Sequence, residues 1–161
     1  MGFDPMEEPV LLTRAGLQRL EAELHKLKTV KRAEVAAAIR EAQELGPDQL
    51  DAQYEDAKNQ QAFLEGRIGE IERQLENVSI IDESAAAKSK QVQVGSTVTM
   101  KNAAGKSQKY QVVGPAEADP TQGRISHKSP VGRALLGKKK GDTVTIKAPA
   151  GEVELTVTTI A

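Results

Sequence analysis

The stretch from Ala57 to Val78, AKNQQAFLEGRIGEIERQLENV, decides the architecture. In it Ala57, Gln61, Leu64, Ile68, Ile71, Leu75 and Val78 follow one another at alternating steps of four and three, the seam spacing of a coiled coil. A helix with such a stripe needs a second stripe to bury it. That partner lies upstream, where Leu17, Leu20, Leu24 and Leu27 recur at steps of three, four and three, with no proline from Thr13 to Leu45. Beyond Leu27 a strict heptad would turn Lys31 and Glu34 inward, whereas Val35, Ala38, Ala42 and Leu45 resume the stripe one residue late. This predicts a local change of helix winding near Val30. Thr13, just ahead of Ala15 and Gly16, is expected to cap the first helix. Gly46-Pro47-Asp48 reads as a helix stop and a turn, so the chain should reverse there into an antiparallel hairpin over residues 10–81 with its tip at 44–56. At about 1.5 Å per residue, helices of roughly 30 residues make an arm about 45 Å long.

Downstream the pattern changes. Residues 82–91 (DESAAAKSKQ) are small, polar and aperiodic, and read as a linker. From residue 92 to 161 the apolar period is two: Val92, Val94, Val98 and Met100 alternate, and Tyr110, Val112, Val144, Ile146, Val153, Leu155, Val157 and Ile160 suggest further short strands between glycine turns. Only Val131 to Leu136 looks helical. The expected class is therefore α+β, a helical hairpin followed by an antiparallel β domain with one short helix.

Composition removes several functions. Only Phe3, Tyr54, Phe63 and Tyr110 are aromatic among 161 residues, too few for base-stacking platforms or an aromatic-lined pocket. The absence of cysteine excludes disulfides, thiol nucleophiles and thiolate metal sites. No apolar run reaches the roughly 18 residues of a membrane span, and Asp4, Glu7 and Glu8 do not suit a signal peptide, so a cytosolic protein is expected. The formal net charge of -1 hides an asymmetry: residues 13–78 carry ten Lys/Arg against thirteen Asp/Glu, and residues 84–161 twelve against five.

The densest chemistry is at the tip. Between Arg40 and Lys58 stand six carboxylates, Glu41, Glu44, Asp48, Asp51, Glu55 and Asp56, and no base. One reading is a solvated turn whose acids favour the N-terminus of the second helix. The other is an oxygen-ligand cluster for Mg²⁺ or Mn²⁺, shared with a partner's site. His25 and His127 have no ligand-spaced companion and read as ordinary surface or packing residues. Ser126 and Ser129 near His127 lack an oriented acid or a nucleophile elbow. Lys138-Lys139-Lys140 could touch phosphate, although three lysines in a turn more often solvate it.

Several stretches resemble a known family. Ser129-Pro130-Val131-Gly132-Arg133-Ala134-Leu135-Leu136-Gly137-Lys138-Lys139-Lys140-Gly141-Asp142 is similar, almost residue for residue, to the C-terminal signature of the GreA/GreB transcription elongation factors. Gly114 to Pro120 (GPAEADP), Gln61 to Ile68 (QAFLEGRI) and Leu12 to Gly16 (LTRAG) resemble further stretches of the same family in the same order. The resemblance implies an FKBP-like C-terminal domain without isomerase activity, docking on the rim of the secondary channel of bacterial RNA polymerase. The hairpin would then enter the channel toward the active site and the RNA 3' end. It also implies that Lys128, Ser129, Pro130 and Val131 belong to the docking surface, and that the protein is a monomer with no catalytic residues of its own and no tightly bound cofactor.

The tip departs from the pattern. Cleavage-stimulating members read Gly-Asp-Leu-Ser-Glu-Asn-Ala-Glu-Tyr, whose Asp and Glu help hold a catalytic Mg²⁺ of the polymerase. Here Gly46 to Tyr54 reads GPDQLDAQY, with Pro47 at the Asp position and Leu50 at the Glu position. In one reading Asp48 and Asp51 still approach the active-site metal or block the channel, with Glu44, Glu55 and Asp56 setting the potential and Tyr54 packing under the tip. The factor then inhibits or pauses synthesis, as the anti-cleavage Gre-factor homologues do. In the other, the turn shifts by one residue, Asp48 and Asp51 recover the acid-x-x-acid spacing, and transcript cleavage survives. A third reading, a chaperone-like module that grips proteins, predicts an apolar tip, and the six carboxylates oppose it.

Overall fold

The computed structural model describes residues 7–45 and 47–161, with the side chains of 47–51 and 148 left aside. The chain forms two units, one of Leu17–Asn77 and one of the residues up to Gly16 together with Val78–Ala161. The class is α+β, as the two apolar periods predict.

In the first unit, helix α1 (Arg14–Lys26) runs through a π-helical turn, Leu27–Lys31, into α2 (Arg32–Gln43), and α3 (Pro47–Glu76) returns along α2. The π turn is the winding change that the displaced stripe foretells. The Arg32 N–H reaches back to the Leu27 carbonyl, five residues rather than four, so one extra residue is absorbed and Val35, Ala38 and Ala42 return to the seam. Thr29 also donates its hydroxyl to the His25 carbonyl at 2.7 Å, a back-bond that bends helices. Leu20, Ala42, Ala57, Leu64, Ile68 and Ile71 are buried along the seam, each larger aliphatic contributing about 1.5–3 kcal/mol. With 30 residues, α3 is about 45 Å long.

Ion pairs flank the seam and favour the antiparallel register. Arg32 grips Glu65 through two bonds of 2.9 and 2.8 Å, Arg67 grips Glu23 at 2.8 and 3.0 Å, and Lys28 meets Glu72 at 2.6 Å. The Arg32 hydrogen bonds, and secondarily its charge, hold the Glu65 carboxyl below its ordinary value. A carboxylate depressed in the folded state contributes stability above its unfolded pKa of about 4.3 and loses it as pH falls through the lower folded value. The melting difference between the native chain and Glu65→Gln is therefore expected to be present at neutral pH and to vanish in acid. A difference that grew on acidification would contradict this role for the pair.

The second unit is built on a five-stranded sheet in the order β5-β4-β3-β7-β6, where β3 is Thr97–Lys101, β4 Ser107–Val113, β5 Arg124–Ser126, β6 Thr143–Ala148 and β7 Gly151–Ile160. Pairing is antiparallel except between β4 and β5, which run parallel because the chain from Gly114 to Gly123 crosses over through two single turns of 3₁₀ helix. Helix α5 (Pro130–Leu135) packs on the sheet, and Val92, Val98, Met100, Val112, Ile125, Leu135, Val144, Leu155 and Val157 form the core. The strand expected around Val92 to Met100 begins only at Thr97, because Gly95 adopts a φ of +100° and turns the chain first.

Two strands from the ends of the hairpin sequence belong to this unit. β1 (Val10–Leu12) pairs in parallel with β2 (Val78–Ile80), whereas the sequence reading extends the hairpin over 10–81. Residues 82–91 also differ from a linker. Asp82 accepts the Ala85 N–H at 3.0 Å and caps a second short helix, α4 (Glu83–Lys88), whose Ala86 is fully buried. Alanine has high helix propensity, and a stretch without apolar periodicity hides a helix that buries a single small side chain.

Thr13 caps α1 as expected, its hydroxyl accepting the Gly16 N–H at 3.0 Å. Glu117, from the crossover, accepts the Thr13 N–H at 3.0 Å and also the Thr13 hydroxyl. A Cβ on Gly16 would lie 2.4 Å from the Glu117 carboxyl carbon, which explains glycine there. Among the described residues, no helix is long and apolar enough to cross a membrane.

Candidate functional site

The β unit carries a cleft of about 400 Å³ on its sheet. Tyr110 on β4, Ile125 on β5, Ile146 on β6, and Val153 and Leu155 on β7 supply apolar walls, and Val131 on α5 closes one side. Asn102, Gln108 and Ser129 add polar groups. Val153 is 41% exposed, unusual for a strand valine, because it faces the cleft rather than a second layer. Such a surface suits an apolar side chain presented by a protein. No acidic residue is among the described residues that line it.

Ser129 and Val131, two of the four residues singled out for docking, line this cleft. Ser129 is also the N-cap of α5: its hydroxyl accepts the Gly132 N–H at 3.1 Å and donates to the Ser126 carbonyl at 2.7 Å. It acts on the cleft by holding α5. Pro130 is exposed at the first position of α5, where its missing N–H costs nothing. Lys128 is exposed and pairs with Glu8 at 2.7 Å, which holds the Glu8 carboxyl below its ordinary value. Neither is among the residues that line the cleft. Sequence reasoning missed Tyr110, Ile146 and Val153, since alternation marks them as sheet residues without telling which face stays uncovered. The solitary aromatic of the β half, Tyr110, was the one available signal.

At the tip, α2 ends at Gln43 and α3 starts at Pro47, so positions 47 and 48, read from the sequence as part of the turn, belong to the second helix. The Glu44 and Leu45 N–H groups donate to the Glu41 and Ala42 carbonyls at 3.2 and 3.3 Å and close the helix end. Glu44, Glu55 and Asp56 are exposed, Asp56 accepting from the Gln60 amide at 3.0 Å, while Tyr54 is half-buried near buried Ala57. The side chains of Asp48 and Asp51 lie outside the described residues. Among the described residues, no three acidic or histidine side chains gather where they could hold a metal. At the two positions where the cleavage-stimulating pattern has its acids, the sequence has Pro47 and Leu50, whose side chains carry no oxygen.

Comparison with known proteins places both halves of the chain in one family. A family model described as the GreA/GreB transcription elongation factor C-terminal region matches residues 87–161, and one described as the transcription elongation factor N-terminal region matches residues 10–80. Transcription elongation factor GreA of Thermoanaerobacter pseudethanolicus is 48% identical over 153 residues, covering 94% of this chain and 97% of that protein. GreA of Chloroflexus aggregans is 47% identical over 152 residues, covering 94% and 96%. Among solved structures, GreA factor homolog 1 (Gfh1) of Thermus thermophilus is 33% identical, covers 96% of this chain and 99% of that one, and superposes with a TM-score of 0.44. With both halves matched in order and nearly half of all residues shared along almost the whole length, the chain belongs to the GreA/GreB family of transcription elongation factors.

Proposed function

We propose that this factor binds bacterial RNA polymerase at the rim of the secondary channel and restrains elongation, slowing or pausing synthesis through its acidic hairpin tip. It acts as a cytoplasmic monomer without catalytic groups of its own. The β-unit cleft takes an apolar side chain of the polymerase, and the hairpin carries Asp48 and Asp51 toward the catalytic metal and the RNA 3' end. The observation that supports restraint over cleavage is Pro47 as the first residue of α3. Its ring fixes φ and suits a helix start, so the turn is held in the register that puts Pro47 and Leu50 where the cleavage-stimulating pattern has acids.

One observation favours the second reading. Asp48 and Asp51 are three residues apart inside the helical range of α3, a spacing that shares a helix face. They could supply an acid pair to a Mg²⁺ or Mn²⁺ ion held by the polymerase. The deciding experiment is transcript cleavage by a backtracked elongation complex in Mg²⁺ and in Mn²⁺, beside nucleotide addition. Slowed addition without cleavage supports restraint; faster cleavage in either metal would replace it with the second reading.

For the cleft, Val153→Asp places a charge on an exposed apolar wall outside the core. Affinity for polymerase is expected to fall tenfold or more, since anchors at interface centres are worth about 2 kcal/mol. Unchanged affinity in a titration of labelled factor would remove the cleft from the interface.

A further inference from the structure

Helix α3 buries one face and leaves the opposite one bare along the middle of the arm. Ala57, Leu64, Ile68 and Ile71 are buried, whereas Asn59, Ala62, Phe63, Gly66 and Glu70 on the other side are exposed. Phe63 is 82% exposed, the most exposed large apolar side chain among the described residues. Beside it, Asn59, Ala62, Gly66, Arg67 and Glu70 complete a depression in the helix surface.

The depression owes its depth to Gly66. This residue has no positive φ, and an added Cβ would meet nothing within 4 Å. Glycine weakens a helix interior relative to alanine, and nothing inside the chain uses the space it leaves. A hollow and an aromatic knob therefore lie side by side on one unpartnered face.

A face that carries both a knob and its hole is self-complementary, as a two-fold pair requires. On a facing helix a knob enters the space between four residues, and Phe63, Gly66, Arg67 and Glu70 bound such a space. If two α3 helices lie antiparallel, with the two-fold axis between Phe63 and Gly66, each Phe63 enters the hollow of the other copy and the two rings meet. Asn59 of each copy then stands across from Glu70 of the other, an amide donor facing a carboxylate acceptor. Arg67 borders the hollow with its charge already matched, bonded to Glu23 at 2.8 and 3.0 Å and paired with Glu70 at 3.3 Å. The pair thus brings in no unmatched cation, and its apolar, nearly neutral centre offers little to a polyanion.

We propose that two copies of the unbound protein associate through this face of α3, as an antiparallel two-fold pair in which Phe63 of each fills the Gly66 hollow of the other. Six residues line the depression, against roughly 20–30 a side in a stable interface, so the pair is weak and forms at high concentration. The copy that acts on polymerase is single; the pair belongs to the free factor. This inference stands apart from the polymerase reading and is tested without polymerase.

The test is sedimentation equilibrium of the full chain from about 10 µM to about 1 mM, a range that reveals weak pairing. The mean mass of the native chain should rise with concentration from 17.3 kDa toward twice that value. Phe63→Ala removes the knob and Gly66→Leu fills the hole; each should weaken pairing about thirtyfold or more. Both variants should melt no lower than the native chain, because neither position lies in the seam. The chain has no cysteine, so register can be read by mixing chains that carry Asn59→Cys and Glu70→Cys with a short bis-maleimide. Cross-links between 59 and 70 should exceed those between like positions, which lie about 16 Å apart along an antiparallel pair. Three results would overturn the proposal: a native chain that keeps the single-chain mass at the highest concentration, a Phe63→Ala chain that pairs as the native one does, or like positions that cross-link as readily as 59 with 70. Loss of polymerase affinity in Phe63→Ala, with a native chain that never pairs, would give the face to polymerase instead.

Discussion

Gly132→Ala is expected to be the most damaging single methyl group that can be added to the β unit. A Cβ at residue 132 would sit 2.0 Å from the Ser126 carbonyl oxygen, 2.9 Å from its carbon and 3.0 Å from the His127 Cα, all backbone atoms. The flexible end of a side chain could give way; this backbone is pinned. Ser126 carries the Ser129 hydroxyl bond, and the His127 N–H donates to the Val113 carbonyl at 2.9 Å. Helix α5 would have to lift from the sheet, taking buried Leu135 with it. Overpacking of this kind costs about 1–3 kcal/mol or more, and a domain of roughly 100 residues then melts about 10 °C lower. Since Val131 and Ser129 ride on the same helix, polymerase affinity should fall together with stability. The same substitution at Gly66, where an added Cβ meets nothing within 4 Å, should leave the chain as stable or up to about 1 kcal/mol more so. Equal melting temperatures for the two variants would refute the close-approach account of Gly132.

Asp48→Ala with Asp51→Ala should abolish the effect on transcription and leave polymerase binding intact. The argument is electrostatic. These are two of six carboxylates crowded between Arg40 and Lys58, where no base offsets them, and they flank the substituted position Leu50. If restraint comes from negative charge near the catalytic metal, removing the pair should lose it entirely, while the β-unit cleft, remote in sequence, still docks. Glu44→Gln and Glu55→Gln, by changing only the surrounding potential, should produce partial effects that salt diminishes. Nucleotide-addition rates with saturating factor would measure this. A double variant indistinguishable from the native chain would sink the assignment of Asp48 and Asp51.

Much of this protein was legible in one dimension. A heptad stripe has a single favourable burial, against another stripe, so the hairpin followed from Leu17 to Leu45 and Ala57 to Val78. Even the π turn at Leu27–Lys31 was visible, as an apolar stripe displaced by one residue. The cap at Thr13 and the acidity of the tip were likewise local properties, set by neighbours in sequence.

What stayed hidden depends on contacts between distant residues. The parallel pairing of β4 with β5, the union of Val10–Leu12 with Val78–Ile80, and the bond from Glu117 to Thr13, 104 residues away, leave no periodic trace. The cleft is hidden for the same reason. Alternation tells which strand residues share a face, but only the packing of α5 decides that Tyr110, Ile146 and Val153 are left facing open space. The sequence by itself determined the long hairpin helices and the α+β class, whose burial is dictated by local period, and the family. Only the tertiary structure decided which side chains meet, because that depends on chain crossings whose entropy and packing no local pattern records.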